Sequence, residues 1–180
     1  MSVITVIGTI PEPTISQAIT EVNSIDWNDT SLHDMLTIEA TDKLKVLLLS
    51  RLDEFGDTIE EINNAVVSNQ ITPFLYPAIH SIIDWLKNEV GASFVGKTRI
   101  VVLLPGEVIP DHVNDGTYYS MYTRYHIPLV THPDVKIIDT LTSVEENMTI
   151  GNVYKLSNTK SHSFKNNSNI SRIHLIVDLA

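Results

Sequence analysis

Residues 123–131 read TRYHIPLVT, and polar and apolar side chains alternate through the first part of this segment. A period of two is typical of a β-strand, because successive side chains point to opposite faces of a sheet. It places Arg124 and His126 on one face and the apolar side chains on the other. The apolar face must pack on a core, so the segment predicts a half-buried strand.

A second segment, residues 172–179, repeats the pattern as RIHLIVDL. Arg172 and His174 share one face of the predicted strand, and the opposite face is apolar. One interpretation is that both polar faces meet water on a one-sided sheet. The distribution of rare residues favours a polar cavity instead, because two of the four arginines and two of the seven histidines lie in these Arg-x-His segments.

The remaining sequence changes character near residue 98. Before it, helical periodicity predicts three helices (residues 14–25, 57–68 and 77–91), with flanking strands at residues 2–10 and 42–50. After it, short alternating segments separated by Gly, Pro, Asn and Asp predict an antiparallel sandwich or barrel. We therefore expect an α+β fold with a mainly β core. Residues 1–180 form a single domain, in which a helix-rich part (1–98) packs on the core that carries the site (99–180).

Composition narrows the classes of function. The net charge of −10, without a basic cluster, argues against direct nucleic-acid binding. No cysteine is present, so a metal would need histidine and oxygen ligands. No segment matches a signal peptide or is long enough to span a bilayer, so we expect a cytoplasmic protein without a membrane partner.

Four segments together resemble the aspartyl/asparaginyl β-hydroxylase family, over about residues 99–178. They are LLPGEVIPDHVNDG (103–116), RYHIPLVT (124–131), NTKSHSFKNNS (158–168) and RIHLIVD (172–178). The resemblance implies a double-stranded β-helix, the cupin-like jelly roll, with flanking helices from the N-terminal half. It also implies a small Fe(II)- and 2-oxoglutarate-dependent oxygenase of a kind frequent in bacteria and phages.

The resemblance assigns roles to five residues. His112 and His162 match the two imidazole ligands of the metal and are thus the catalytic pair. Arg172 lies ten residues after His162 and matches the arginine that binds 2-oxoglutarate, and His126 matches the histidine beside the same carboxylate. Arg124 is a candidate for binding a substrate carboxylate, with a surface salt bridge as its alternative role. His174 and Asp178 receive no direct role in the chemistry.

One position departs from the family pattern. The usual motif is His-x-Asp, whereas this chain has Asn114 where the third metal ligand is expected. Three interpretations remain: Asn114 is a neutral ligand, Asp115 turns inward from the next position, or two histidines bind the metal with water. Asp115 is the least favoured of these, since neighbouring residues of a strand point to opposite faces.

The function implied by the resemblance is hydroxylation of an unactivated C–H bond, with dioxygen consumed and succinate and CO2 released. The substrate would be an amino acid or a residue in a peptide. Asn114 leaves room for an alternative, a catalytically degenerate member that binds a metal or a small carboxylic acid without turnover.

Overall fold

A computed structural model of the protein describes residues 2–27, 44–52, 67–69 and 75–180. These ranges contain eleven strands and three helices. In chain order they are β1 (Ile4–Thr9), α1 (Glu12–Asn23), β2 (Leu44–Leu52), β3 (Val67–Asn69), α2 (Pro77–Val90), β4 (Val95–Leu103), β5 (Val108–His112), α3 (Thr117–Met121), β6 (Thr123–Val130), β7 (Val135–Asp139), β8 (Val144–Glu146), β9 (Asn152–Leu156), β10 (His162–Asn166) and β11 (Arg172–Leu179).

The strands form two antiparallel sheets. The major sheet has seven strands in the order β1-β9-β6-β11-β4-β2-β3, and the minor sheet has four in the order β5-β10-β7-β8. One apolar cluster joins the two sheets, since Ile137 and Phe164 of the minor sheet pack with Leu103 and Leu156 of the major sheet. This arrangement confirms the predicted mainly β architecture of two layers.

The outer face of the major sheet packs on the helices. Ile127 of β6 and Leu175 of β11 belong to a buried cluster that also contains Val22 of α1 and Ile82 of α2. Because the side-chain period of a strand is two, the neighbouring residues of β6 and β11 point to the inner face, toward the minor sheet. The predicted division of both Arg-x-His strands into two faces is confirmed.

Helix α1 holds the start of helix α2. The two carboxylate oxygens of Glu21 accept hydrogen bonds from the backbone N–H groups of Ala78 (2.7 Å) and Ile79 (3.0 Å). These are free donors at a helix N-terminus, so the contact satisfies them and fixes the helices to each other. Helix α2 ends as predicted at Gly91, whose φ of 67° is left-handed. Within the described parts of the chain, no helix is both long and apolar enough to cross a membrane.

Several predicted boundaries change. Helix α1 begins at Glu12, two residues before the predicted Thr14, with a proline in its first turn. The helix predicted at 57–68 lies largely outside the described residues, and its last two residues belong to β3. Strands β1 and β2 were predicted, and both join the major sheet. Strand β5 was not predicted, because Pro110 interrupts it; proline is tolerated there since β5 is an edge strand.

The turn before β11 is held by Asn166, whose side chain is fully buried. Its Nδ2 donates to the carbonyl oxygens of Leu103, Leu104 and Ile170, and its Oδ1 accepts from the backbone N–H and the hydroxyl of Ser168. This network ties the end of β10 to the end of β4. It therefore sets where β11 begins, and with it the position of its first residue.

Candidate active site

A cavity of about 230 Å³ lies between the two sheets. The major sheet contributes side chains of β2, β4, β6, β9 and β11, and the minor sheet contributes side chains of β5 and β10. Five of the six predicted site residues line it, together with Phe164: His112, His162, Arg124, His126 and Arg172. The strand order brings together side chains that are up to 60 residues apart in the chain, which local sequence patterns do not specify.

His112 and His162 are neighbours across the minor sheet. They pair directly between β5 and β10, and their ring centroids are 4.4 Å apart. The Nδ1 atom of His112 contacts the carbonyl oxygen of Pro110 (2.8 Å), and that of His162 contacts the carbonyl oxygen of Lys160 (2.9 Å). A carbonyl only accepts, so each Nδ1 carries a hydrogen and Nε2 is the ring nitrogen left to bind a metal ion.

The His162 ring is buried, and its Nε2 has no hydrogen-bond partner among the described residues. Burial lowers the pKa of His162 below its ordinary value, and the nearby His112 lowers it further, which favours the neutral ring. Neutral imidazoles with fixed Nδ1–H groups are the form in which histidines bind metal ions. In the described ranges no group of three His, Cys, Asp or Glu side chains is placed to hold a metal.

Asn114 is buried two residues after His112, behind the surface of the cavity. Its Oδ1 accepts a hydrogen bond from Nη1 of Arg124 (2.8 Å), while its Nδ2 has no partner among the described residues. A carbonyl oxygen has two lone pairs, so one remains beyond the Arg124 contact. Asp115 is exposed, which argues against the interpretation in which it turns inward.

Arg172, the first residue of β11 in the major sheet, has a fully buried guanidinium. Its carbon Cζ lies 4.7 Å from the centroid of the Phe164 ring, and its Nη2 donates to Nδ1 of His174 (2.7 Å). The Nε and Nη1 atoms have no partner among the described residues. Burial lowers the pKa of Arg172 to about 9, as expected for a buried cation that lacks an anion.

His126 lies beside this guanidinium. Its ring stacks on Phe164 at a centroid distance of 5.4 Å, and its Nδ1 is 3.5 Å from Nδ1 of His174. Burial lowers the pKa of His126 far below its ordinary value, and His174 and Arg172 lower it further, so the ring is neutral. Its Nε2 has no partner among the described residues. Phe164 therefore positions both His126 and Arg172.

Arg124 is engaged by the protein on all three nitrogens. Nε and Nη2 donate to the two carboxylate oxygens of Asp178, Nη1 donates to Asn114, and Nη2 also donates to the hydroxyl of Tyr119 (2.6 Å). Burial alone lowers the pKa of Arg124, but the hydrogen bonds and charge of Asp178 outweigh it and raise the pKa above its ordinary value. The ion pair between Arg124 and Asp178 is buried, whereas the alternative considered from the sequence was a salt bridge at the surface. The binding of a substrate carboxylate by Arg124 stays a prediction.

The sequence prediction missed Arg99. This residue of β4 lines the cavity and interacts with the hydroxyl of Tyr119. Its strand reads as a buried apolar run, RIVVLLP, in which a single arginine at the start gives little signal. The strand period of two could have located Arg99, because it places this residue on the same face as Val101, which also lines the cavity.

The fold and the site define a class of protein: a jelly roll with paired histidines and a buried arginine between its sheets. The sequence model of the aspartyl/asparaginyl β-hydroxylase family matches residues 67–180, more than half of the chain. The chain belongs to this family, and it is accordingly an enzyme of the hydroxylase type.

Two solved structures share the fold at low sequence identity. An oxidoreductase of the 2OG-Fe(II) oxygenase family from Burkholderia pseudomallei has a TM-score of 0.57 at 12% identity, over 96% of this chain and 93% of that chain. A Pseudomonas putida prolyl-4-hydroxylase has a TM-score of 0.55 at 11% identity, over 98% of this chain and 90% of that chain. A comparison with curated proteins finds no significant match.

Proposed function

We propose that the protein is an Fe(II)- and 2-oxoglutarate-dependent dioxygenase that hydroxylates an unactivated C–H bond of an amino acid or of a residue in a peptide. The observation that carries this proposal is the pair His112 and His162. Both rings have their Nδ1–H groups held by backbone carbonyls, so both Nε2 lone pairs are available to one cation.

The donor set fits Fe(II). Imidazole nitrogens suit iron, and a site with few protein ligands leaves positions for a cosubstrate and dioxygen. Asn114 is the proposed third ligand, through the second lone pair of its Oδ1. A neutral amide binds a cation more weakly than a carboxylate does, so the two-histidine site with water remains the alternative for the third position.

Arg172 fits the distal carboxylate of 2-oxoglutarate. Its unpartnered Nε and Nη1 are two donors in the planar fork that matches a carboxylate. An anion there would neutralise a guanidinium that has no ion-pair partner among the described residues. His126 also packs on the Phe164 ring and is the second polar contact for the cosubstrate.

The bound iron and 2-oxoglutarate would supply the oxidising chemistry, in which dioxygen is consumed, 2-oxoglutarate becomes succinate and CO2, and a substrate C–H becomes C–OH. The protein contributes the rest. The two sheets flank the cavity, the backbone carbonyls fix the histidine rings, and Phe164 fixes the direction of the guanidinium.

The test is an anaerobic titration of the purified protein with Fe(II) and 2-oxoglutarate, followed by admission of air. We expect a visible metal-to-ligand charge-transfer band and then succinate. His162→Ala should abolish the band, whereas His132→Ala, which changes an exposed histidine, should preserve it. A band without succinate under any condition would favour the degenerate binding protein, and no band would contradict the proposal.

A further inference from the structure

Three guanidinium groups line the cavity: Arg99, Arg124 and Arg172. Among the described lining residues none is acidic. Buried charge is costly unless it is paired. An arginine of this cavity that has no ion-pair partner in the protein therefore marks a place where a ligand can supply the anion.

One of the three charges is already matched. Arg124 forms a two-point ion pair with Asp178, and its remaining nitrogen donates to Asn114. Arg99 forms no ion pair among the described residues, and its Nε is buried without a hydrogen-bond partner. Burial lowers the pKa of Arg99 and the neighbouring Arg124 lowers it further, whereas the charge of Asp178 and the contact with Tyr119 only partly raise it again. Among the described residues of the cavity, Arg99 and Arg172 are thus the two cations without an ion-pair partner.

The two unmatched cations are at different places. Arg172 lies opposite Leu103 in the pairing of β11 with β4, and Arg99 lies four residues before Leu103 in β4. Their backbone positions are about 13 Å apart along the sheet. Val101 of β4 lies between them, whereas Ile176 pairs directly with Arg99. The cavity therefore has two separated cationic ends, which suit two separate anions better than one.

Tyr119 adds a donor at the Arg99 end. Its hydroxyl accepts from Nη2 of Arg124 (2.6 Å) and also interacts with Arg99. Arginine has no acceptor atom, so neither contact uses the hydroxyl hydrogen. That hydrogen and the free Nε–H of Arg99 are the donors that a carboxylate needs.

We propose that Arg99 binds a carboxylate of the substrate, with the Tyr119 hydroxyl as a second donor, and thereby selects substrates that present a free carboxylate in the cavity. The inference rests on the proposed function, since it assigns Arg172 to 2-oxoglutarate. Arg124 has an indirect role in this proposal. Its ion pair with Asp178 fixes the guanidinium, which holds the Tyr119 hydroxyl in place through a hydrogen bond. Arg99 makes the direct contact with the substrate carboxylate. The carboxylate comes either from the main chain of a free amino acid or from an acidic side chain.

The experiment uses the anaerobic complex of the protein with Fe(II) and 2-oxoglutarate and follows the charge-transfer band while probes are added. The first arm compares the free L-amino acids with their C-terminal amides. The second arm compares N-acetyl-aspartate amide with N-acetyl-asparagine amide. We expect a carboxylate probe from one arm to perturb the band at concentrations about thirtyfold or more below those of its amide partner. The responding arm identifies the source of the carboxylate.

Arg99→Met should weaken binding of that carboxylate probe about thirtyfold or more and remove the discrimination against its amide. Arg99→Lys should give an intermediate loss, because it keeps the charge without the planar fork. Lys155→Met removes a cation from the exposed face of β9 and should change nothing. An intact charge-transfer band in each variant shows that the protein is folded and that 2-oxoglutarate is bound.

The two proposals fail in different ways. If the wild-type protein forms no band, the proposed function is wrong. If the band forms but no carboxylate is preferred over its amide, or if Arg99→Met binds the carboxylate probe as the wild type does, the inference about Arg99 is overturned and the proposed function stands.

Discussion

Arg124 donates two parallel hydrogen bonds to Asp178, from Nε to Oδ1 and from Nη2 to Oδ2, each 2.8 Å long. The two residues lie directly opposite each other between β6 and β11, and both side chains are buried. The pair fixes the guanidinium so that Nη1 reaches Asn114. One ion pair therefore connects the centre of the major sheet to the loop that follows His112.

Removing one partner of this pair should be strongly destabilising. Asp178→Asn leaves the buried Arg124 charge without its anion, and we expect the free energy of unfolding to fall by about 3–5 kcal/mol. The double variant Arg124→Met with Asp178→Leu removes both charges and should lose less than Asp178→Asn alone. Urea unfolding of the wild type and the two variants measures this, and a double variant that loses as much as Asp178→Asn or more would contradict the prediction.

Arg172→Met should remove binding of 2-oxoglutarate without harming the fold. Methionine fills much of the same space but cannot donate to a carboxylate, so we expect the affinity to fall about a hundredfold or more. Arg172→Ala should have the same effect on binding. Lys165→Met, at an exposed position of β10, is the control. Anaerobic titration measures the affinity, and an unchanged value in both Arg172 variants would mean that the cosubstrate is held elsewhere.

Asn114→Asp should tighten binding of Fe(II). A carboxylate at this buried position adds a negative charge beside the histidine pair, and we expect a gain of about tenfold or more. The neighbouring Asp115→Asn changes an exposed side chain and should leave the metal affinity unaltered. Anaerobic titration with Fe(II) compares the metal affinity of the two variants with that of the wild type. An unaltered titration for Asn114→Asp would show that residue 114 does not face the metal.

Stability should fall in mild acid because of His126 and His174. Burial lowers the pKa of both rings far below the ordinary value of 6.5. The folded state then binds fewer protons than the unfolded state, so stability is greatest above pH 6.5 and is lost as the pH falls below it. Each histidine contributes a slope of up to about 1.4 kcal/mol per pH unit.

Urea unfolding at pH 7.5 and pH 5.5 measures this slope. His126→Gln should reduce it, because glutamine does not take up a proton in this range. His132→Gln removes an exposed histidine and should leave the slope unchanged. A wild-type stability that is equal at both pH values would contradict neutral burial of the two rings.

The sequence predicted what depends on local periodicity. In β6 and β11 the alternation assigned the correct faces, because the direction of a side chain in a strand follows from its position alone. The Gly91 signal gave the end of α2 for the same local reason. The short helix α3 was missed, since five residues cannot show a helical period.

The site depended on pairing that no local pattern contains. The sequence suggested a common cavity for Arg124 and Arg172, but it did not show that Asp178 takes up the charge of Arg124 or that Phe164 supports Arg172. Both contacts follow from the strand order β6-β11-β4 and from the second sheet facing it. Arg99 was overlooked because the residues that follow it in β4 are apolar on both faces, which hides the period.

Strand β11 carries polar site residues at Arg172, His174 and Asp178, whereas Leu175 and Val177 pack on the helices. A one-residue insertion or deletion inside this strand would exchange the two sets and place charges against the helices. Evolution can therefore change β11 by substitution but not by single-residue changes in length. Length variation among related chains is expected in the turns instead, and the spacing inside β11 is a more durable mark of ancestry than the identity of its apolar residues.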